Sequence, residues 1–312
     1  MPKFSVVIPL FNKEKFILST LKSVMNQNFK DFEVIIVDDG STDNSLELID
    51  TINDSRIQVL KQENQGVSEA RNNGIKQAKA AYIAFLDADD IWEENHLEVL
   101  DNTIQKFPKA GMYCSRYVTE ITKHHHLHNT FIGIETTYEG YVQDFFKSSL
   151  INRVALTSAV CIKKTVFDEI GGFNANISSG QDLEYWIRIA LHYKIAITNK
   201  TTLIYNYNEN NYSLSKTPIY KKKLIDFDRF KEFEQNKPSL KQFLDLYRVE
   251  YALNFYLLGY KKQRDFYLKN VDKKNIPTKT KLLLKLPPSL LRKLYALKQL
   301  LKKKGIDISA YY

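Results

Sequence analysis

Between residues 1 and 90 the chain alternates short continuous apolar runs with amphipathic stretches. FSVVIP at Phe4 to Pro9 reads as a strand, and the segment from Phe16 to Met25 carries Phe16, Leu18, Leu21, Val24 and Met25 at helical spacing. FEVIIV at Phe32 to Val37 is the unbroken apolar run of a strand buried on both faces. SLELIDTI resumes a helix, and Arg56 to Lys61 gives a third strand. Gly66 to Ala80 follows as a helix with the small-residue face Val67, Ala70, Gly74 and Ala78. YIAFL at Tyr82 to Leu86 is a fourth strand, and a helix is expected from about Glu93. The order β-α-β-α-β-α-β predicts a parallel sheet with right-handed crossovers.

Past residue 90 the alternation loosens. Met112 to Val118 and Ala159 to Lys163 read as strands, Phe167 to Phe173 as a helix end with a glycine stop, Gln181 to His192 as an amphipathic helix, and Ile195 to Tyr207 as a strand pair. His124, His125, His126 and His128 fall in a polar stretch without an apolar frame, which predicts a solvated loop rather than a metal site. NENNYSLSKTP is a turn-rich joint, and from Ile219 onward the chain reads as helical, aromatic and Lys-rich.

Charge sharpens that division. The whole chain carries +9, yet from Tyr220 onward there are 23 Lys+Arg against 9 Asp+Glu, so the part before Tyr220 is net acidic. A basic block on an acidic body points to an anionic partner. On a helix, Leu290, Leu294, Leu297 and Leu301 share one face, with Arg292, Lys293, Lys298 and Lys302 to Lys304 elsewhere. That is the pattern of an interfacial membrane helix, or of a docked helical hairpin with a solvated lysine face. No recognition module for nucleic acid accompanies the charge. At 312 residues, 44% hydrophobic and 26% charged, the composition is that of a globular protein. Cys114 and Cys161 each lie in apolar runs, so buried reduced thiols are expected, which favours a reducing compartment. With no apolar segment of about 20 residues and no signal-peptide pattern at the start, the expected location is cytoplasmic, extending to the inner face of the cell membrane if the tail makes that contact.

The chemistry concentrates at strand ends. Asp87, Asp89 and Asp90 arrive within four positions where the fourth strand stops, and Asp38-Asp39-Gly40 follows the second. Clustered carboxylates raise one another's pKa unless a cation neutralises them or they cap a helix. Ligands in open α/β sheets sit at the carboxyl ends of strands, and hard oxygens select Mg²⁺, Mn²⁺ or Ca²⁺. Either a divalent cation or a helix start near Glu93 accounts for Asp89 and Asp90.

Four segments together, VVIPLFN at 6 to 12, VIIVDDGSTD at 34 to 43, GVSEARNNGI at 66 to 75 and FLDADD at 85 to 90, make the chain resemble glycosyltransferase family 2, the inverting enzymes of GT-A fold. The resemblance runs on through IGGF at 170 to 173 and QDLEYWIRIA at 181 to 190. It implies a GT-A, Rossmann-like, mostly parallel sheet with helices on both faces over residues 1–208, with 1–90 binding nucleotide and 91–208 the acceptor, and a helical basic region over 209–312. By matching position, Pro9, Phe11 and Asn12 would border the base, Asp39 would hydrogen-bond the nucleoside, and Arg71 and Asn72 would lie against the nucleotide. Asp87 would touch ribose or sugar, and Asp89 would hold Mn²⁺ or Mg²⁺ on the diphosphate. Family members usually place Glu-Asp where this chain has Gln181-Asp182; the aspartate is retained, which makes Asp182 the expected base. Gly180 before it allows close approach of a sugar, and Trp186 is either an acceptor-lining or a core residue. The implied activity is transfer of a sugar from a nucleotide-diphosphate donor, UDP most commonly, to a hydroxyl of a glycan or lipid-linked saccharide in cell-surface polysaccharide synthesis. Two alternatives stand beside it: an inactive transferase-fold scaffold at a membrane, and a haloacid-dehalogenase-type phosphatase, whose Asp-x-Asp belongs on the first strand.

Overall fold

A computed structural model describes residues 1–122, 125–206 and 217–303. Its contacts divide the chain into two units, each taken in its described residues: Met1–Phe145, Asn152–Asn211 and Lys223–Ile225 in the first, Phe146–Ile151, Tyr212–Lys222 and Asp226–Tyr312 in the second.

The first unit is built on β1 (Phe4–Leu10), β2 (Phe32–Asp38), β3 (Ile57–Lys61) and β4 (Tyr82–Phe85), alternating with α1 (Ile17–Met25), α2 (Ser45–Asp50) and α3 (Val67–Gln77). Val6, Val7 and Ile8 of β1 and Val34 to Val37 of β2 are buried, as continuous apolar runs require of central parallel strands. β3, at the edge, is half-buried. Registers are fixed by the ladders Leu10 with Asp38, Asp38 with Lys61 and Val7 with Phe85, so β1, β2 and β3 end together. α3 lies close to β1: a Cβ on Gly74 would sit 2.5 Å from Val7 Cγ1, so only glycine admits this approach.

Beyond β4 come β5 (Ile91–Trp92), α4 (His96–Lys106), β6 (Ala110–Thr122), β7 (His125–His128), β8 (Gly140–Tyr141), α5 (Phe145–Ser148), β9 (Val160–Lys163), α6 (Lys164–Ile170), α7 (Gln181–His192) and β10 (Lys194–Asn206). The sheet runs β3-β2-β1-β4-β9-β6-β10-β5, with β7 on β6 and β8 on β10. β9 is antiparallel to β4 and β6, whereas β6 and β10 are parallel. The result is an α/β fold with helices and a mixed central sheet, parallel from β3 to β4 and between β6 and β10, antiparallel at β5, β7, β8 and β9.

Several elements differ from their sequence pattern. Ile195 to Tyr207 is not a strand pair: β10 is one long strand with register shifts near Thr201, and it meets β8 at one end and β5 at the other. Bulges of this kind absorb the unpaired polar residues that suggested a turn. Of the histidine segment, His125–His128 is a strand rather than a loop, because β6 supplies its hydrogen-bonding partner; His124 lies outside the described residues, as does most of NENNYSLSKTP. Asp89 and Asp90 do not start a helix, since β5 intervenes and α4 begins at His96. Cys114 and Cys161 are free and buried.

The second unit continues with α8 (Lys231–Asn236), α9 (Pro238–Leu257), α10 (Lys261–Leu268), α11 (Thr278–Leu283) and α12 (Pro288–Lys303). α9 has proline in its first turn, where the missing N–H has no intrahelical partner to lose. Its Arg248 is buried and bonded to Glu234 and Asp245, so the charge is compensated on two sides. α12 docks through Leu291 on Val249, Leu253 and Tyr256. The predicted leucine face behaves otherwise: Leu290, Leu294 and Leu297 are exposed, Leu297 by 52%, and Leu301 is half-buried. Among the described residues no helix is long and apolar enough to cross a membrane.

Candidate active site

The carboxyl ends of β1, β2 and β4 carry the candidate side chains. Asn12, just past β1, has φ +52, a conformation asparagine tolerates better than most residues. Its side-chain Oδ1 accepts from the Thr42 N–H at 2.8 Å, and its backbone N–H donates to Ser41 Oγ at 3.1 Å, tying the β1 exit to the β2 exit. Pro9 is half-buried on β1 opposite Val37, and Phe11 is exposed.

Asp39 is 3% exposed and fully engaged with the turn leading to α3. Oδ1 accepts from Gln62 Nε2 at 2.7 Å and from the Gln65 N–H at 2.8 Å, and Oδ2 accepts from the Gly66 N–H at 2.8 Å. A carboxylate has about four acceptor positions, so this one supports the loop and retains little capacity beyond it. Four residues into α3, Arg71 is 3% exposed, donates through Nη2 to Asp87 Oδ1 at 2.5 Å, and lies over the Phe173 ring. Its Nε and Nη1 make no hydrogen bond among the described residues. Asn72 points elsewhere: its amide accepts from the Phe173 N–H and donates to the Phe173 carbonyl, both at 2.8 Å, clamping the IGGF turn.

The three acids after β4 have three environments. Asp87 pairs with Arg71, and Asp89 with Lys13. Asp90 is buried, accepting from Ser158 Oγ and from the Asn206 N–H at 3.0 Å. Burial pushes its pKa well up, Asp89 and Asp87 push it further, and the two hydrogen bonds pull partly back. Asp90 is thus a strut between β4, the Ser158 turn and the end of β10, while Asp87 and Asp89 are only partly shielded from solvent. Asp87 and Asp89 offer hard carboxylate oxygens of the kind that would hold Mg²⁺ or Mn²⁺. Among the described residues no three His, Cys, Asp or Glu side chains converge to hold a metal by themselves.

Gly180 adopts φ +85 immediately before α7, and Asp182 stands in the helix's first turn. Asp182 Oδ2 accepts from Arg153 Nη1 at 3.0 Å. Tyr205 of β10 feels the charges of both sets of residues. Burial raises its phenol pKa, Asp90, Asp87 and Asp89 raise it further, and Arg153 opposes them. Trp186 belongs to the core, packed among Phe85, Phe173 and Tyr185.

Lys13, Gln62, Arg153, Ser158, Tyr205 and Asn206 went unmarked by the sequence pattern. Nothing in their local spacing distinguishes them, since each acts on an acid far away in the chain.

An open sheet of this strand order, with paired acids leaving its fourth strand, defines the GT-A class; the phosphatase alternative required that motif on the first. The glycosyl transferase family 2 model matches residues 5–170, more than half of the chain, and the chain belongs to that family. An uncharacterized glycosyltransferase of Rickettsia conorii is 33% identical over 194 residues, and GlyG of Streptococcus pneumoniae is 43% identical over 105. These matches cover 60% and 33% of this chain and only 30% and 35% of the relatives. WfgD of Escherichia coli, a UDP-Glc:alpha-D-GlcNAc-diphosphoundecaprenol beta-1,3-glucosyltransferase, is 28% identical over 262 residues, covering 83% of this chain and 94% of its own. Among solved structures, S. aureus TarS 1–349 in complex with UDP-GlcNAc superposes with a TM-score of 0.67 at 19% identity, over 97% of this chain and 92% of that one, a likeness of fold.

Proposed function

We propose that the protein is an inverting transferase that moves a sugar from a UDP-sugar to a hydroxyl of a lipid-linked saccharide, with residues 1–208 as the catalytic part. The observation that carries the reading is the pair of acids just after β4, where Asp87 meets Arg71 and Asp89 meets Lys13; Asp182, beside Arg153 at the head of α7, is the candidate base. The nucleoside would lie against Pro9, Phe11, Asn12 and the Asp39 loop, with Arg71 toward the diphosphate. A Mn²⁺ or Mg²⁺ bound at Asp89 would act as a Lewis acid on the leaving diphosphate. Asp182 takes the proton of the acceptor hydroxyl as its oxygen attacks the anomeric carbon from the face opposite the departing UDP, which inverts the configuration. Asn72 would lie beside the nucleotide while its side chain clamps the Phe173 turn. WfgD's UDP-Glc donor and diphosphoundecaprenol acceptor support the substrate class.

Calorimetry of UDP with Mn²⁺ tests the donor half. D89N is expected to lose the metal-dependent part of the affinity; undiminished Mn²⁺-dependent binding would remove Asp89 from this role. Wild-type chain that hydrolyses no UDP-sugar from a broad panel would favour the inactive scaffold instead.

The exposed leucines of α12 with Arg292, Lys293 and Lys298 around them support contact with an anionic membrane surface, where a lipid-linked acceptor resides. Flotation with anionic liposomes is expected for the full chain and not after deletion of 281–312. Equal flotation of both would defeat this part.

A further inference from the structure

One hydroxyl group is bonded to both ends of the turn that carries the donor-side acids. Ser158 lies in the short turn Thr157–Ala159 before β9 and is buried. Its Oγ accepts from the Asp87 N–H at 3.0 Å and donates to Asp90 Oδ2. A serine hydroxyl has one hydrogen and two lone pairs, and a backbone N–H can only donate, so the hydrogen of Ser158 is directed to Asp90. The Ser158 carbonyl accepts from Trp92 Nε1 at 2.7 Å, and Trp92 is itself stacked on His96. Asp90 is anchored from two further directions: the Asn206 N–H donates to its Oδ1 and Thr20 Oγ1 donates to its carbonyl, each at 3.0 Å. Between the two held residues the turn is closed by the Asp90 N–H on the Asp87 carbonyl at 3.1 Å. With Asp90 pinned inward, the side chains of Asp87 and Asp89 stay 33% and 21% exposed.

We propose that Ser158 is the positioning residue of the Asp87–Asp90 turn: by fixing the Asp87 main chain against Asp90, its hydroxyl sets where the carboxylates of Asp87 and Asp89 meet a divalent cation and the donor. The proposal rests on the transferase reading above, in which those two acids serve the donor. Ser158 acts through the acids rather than on the donor itself. Groups that hydrogen-bond behind a metal-binding carboxylate fix its orientation, and metal affinity depends on that orientation more than on the number of ligands alone. Arg71 already restrains the Asp87 side chain from the α3 side. Ser158 supplies the matching restraint on the main chain, from a segment 71 positions away. Alanine at 158 leaves the Asp87 N–H and the buried Asp90 carboxylate without this shared partner, so the turn relaxes and the two exposed acids lose their register.

The test is calorimetry of UDP on the full chain, once with Mn²⁺ and once with a chelator, reading the ratio of the two affinities. Wild type is expected to bind more tightly with Mn²⁺. S158A should lower the ratio about tenfold or more, the range for removing a group that orients a metal ligand, while UDP affinity in chelator changes little. D90N should lower it too, because an amide offers one acceptor to the two donors that the carboxylate satisfies. The double variant S158A/D90N should lose no more than the larger single loss, since both break one link. A merely structural role moves the urea midpoint and leaves the ratio alone. The proposal is overturned by an unchanged ratio in S158A or in D90N, by equal losses with and without Mn²⁺, or by single losses that multiply in the double variant. Should S158A fail to fold, S158C decides by the same ratio, because a thiol occupies the place of the hydroxyl but accepts and donates weakly. Failure of the transferase reading shows separately, as wild-type chain that binds no UDP under either condition.

Discussion

Two sets of acids handle negative charge in different ways. At the β2 exit, Asp39 is buried and receives three hydrogen bonds, two of them from backbone N–H groups of the turn into α3. At the β4 exit and at the head of α7, Asp89 and Asp182 each meet one flexible cation, Lys13 or Arg153. The first arrangement is fixed, because moving Asp39 would strand buried donors. The second is held less firmly, because a partly exposed ion pair contributes little net stability. Acids that build the frame and acids available for chemistry are thus told apart by their partners rather than by their spacing in the chain.

The comparison breaks most sharply at Asp182. Replacement by asparagine keeps the shape and the contact with Arg153 while removing the proton acceptor. Sugar transfer is expected to fall about 10²–10⁴-fold, the usual contribution of a positioned base, with UDP affinity retained. Single-turnover transfer alongside UDP calorimetry checks this; normal transfer by D182N would move Asp182 out of the class available for chemistry.

The reverse signature is expected at Asp39. D39A leaves Gln62 Nε2 and the N–H groups of Gln65 and Gly66 without their acceptor, which predicts a loss of about 3 kcal/mol in unfolding free energy. Donor binding falls with it, because the Gly66 turn sets the start of the helix that carries Arg71. Urea denaturation measures the stability change. A D39A variant as stable as wild type, failing only in UDP binding, would show that the three bonds contribute little and that Asp39 serves the nucleotide alone.

The parallel half of the fold was legible because each of its strands is a local apolar run and each acid follows one directly. The partners of those acids were not. Ser158 reaches Asp90 across 68 positions, the Asn206 N–H reaches it across 116, and Arg153 reaches Asp182 across 29. No periodicity encodes such pairs; they arise only once the antiparallel β9 and the long β10 are inserted beside the parallel strands. β10 itself was misread for a related reason, since its irregular middle has the polar composition of a turn and becomes strand only by pairing with β6. The small-residue face of α3 was legible in outline, and the Gly74–Val7 approach gives its purpose.

His96 extends the fixed class to a group that cannot take up charge where it lies. The ring is fully buried and stacked on Trp92 with centroids 4.1 Å apart; Nδ1 shares a 2.7 Å hydrogen bond with Thr202 Oγ1, and Nε2 has no hydrogen-bonding partner among the described residues. Burial lowers its pKa from 6.5 to about 3. The unfolded chain therefore binds a proton near pH 6.5 that the folded chain refuses until about pH 3. The associated stability is fully present above pH 6.5 and declines as the pH falls toward 3. Between pH 7 and pH 5 the loss is about 2 kcal/mol, from 1.36 kcal/mol per unit of pKa difference. Urea midpoints at the two pH values, compared with those of H96Q, isolate the effect, because glutamine does not titrate and that slope should vanish. An unchanged slope in H96Q would assign the pH dependence to other groups and would mean that the ring finds a way to water, placing His96 with the less firmly held residues after all.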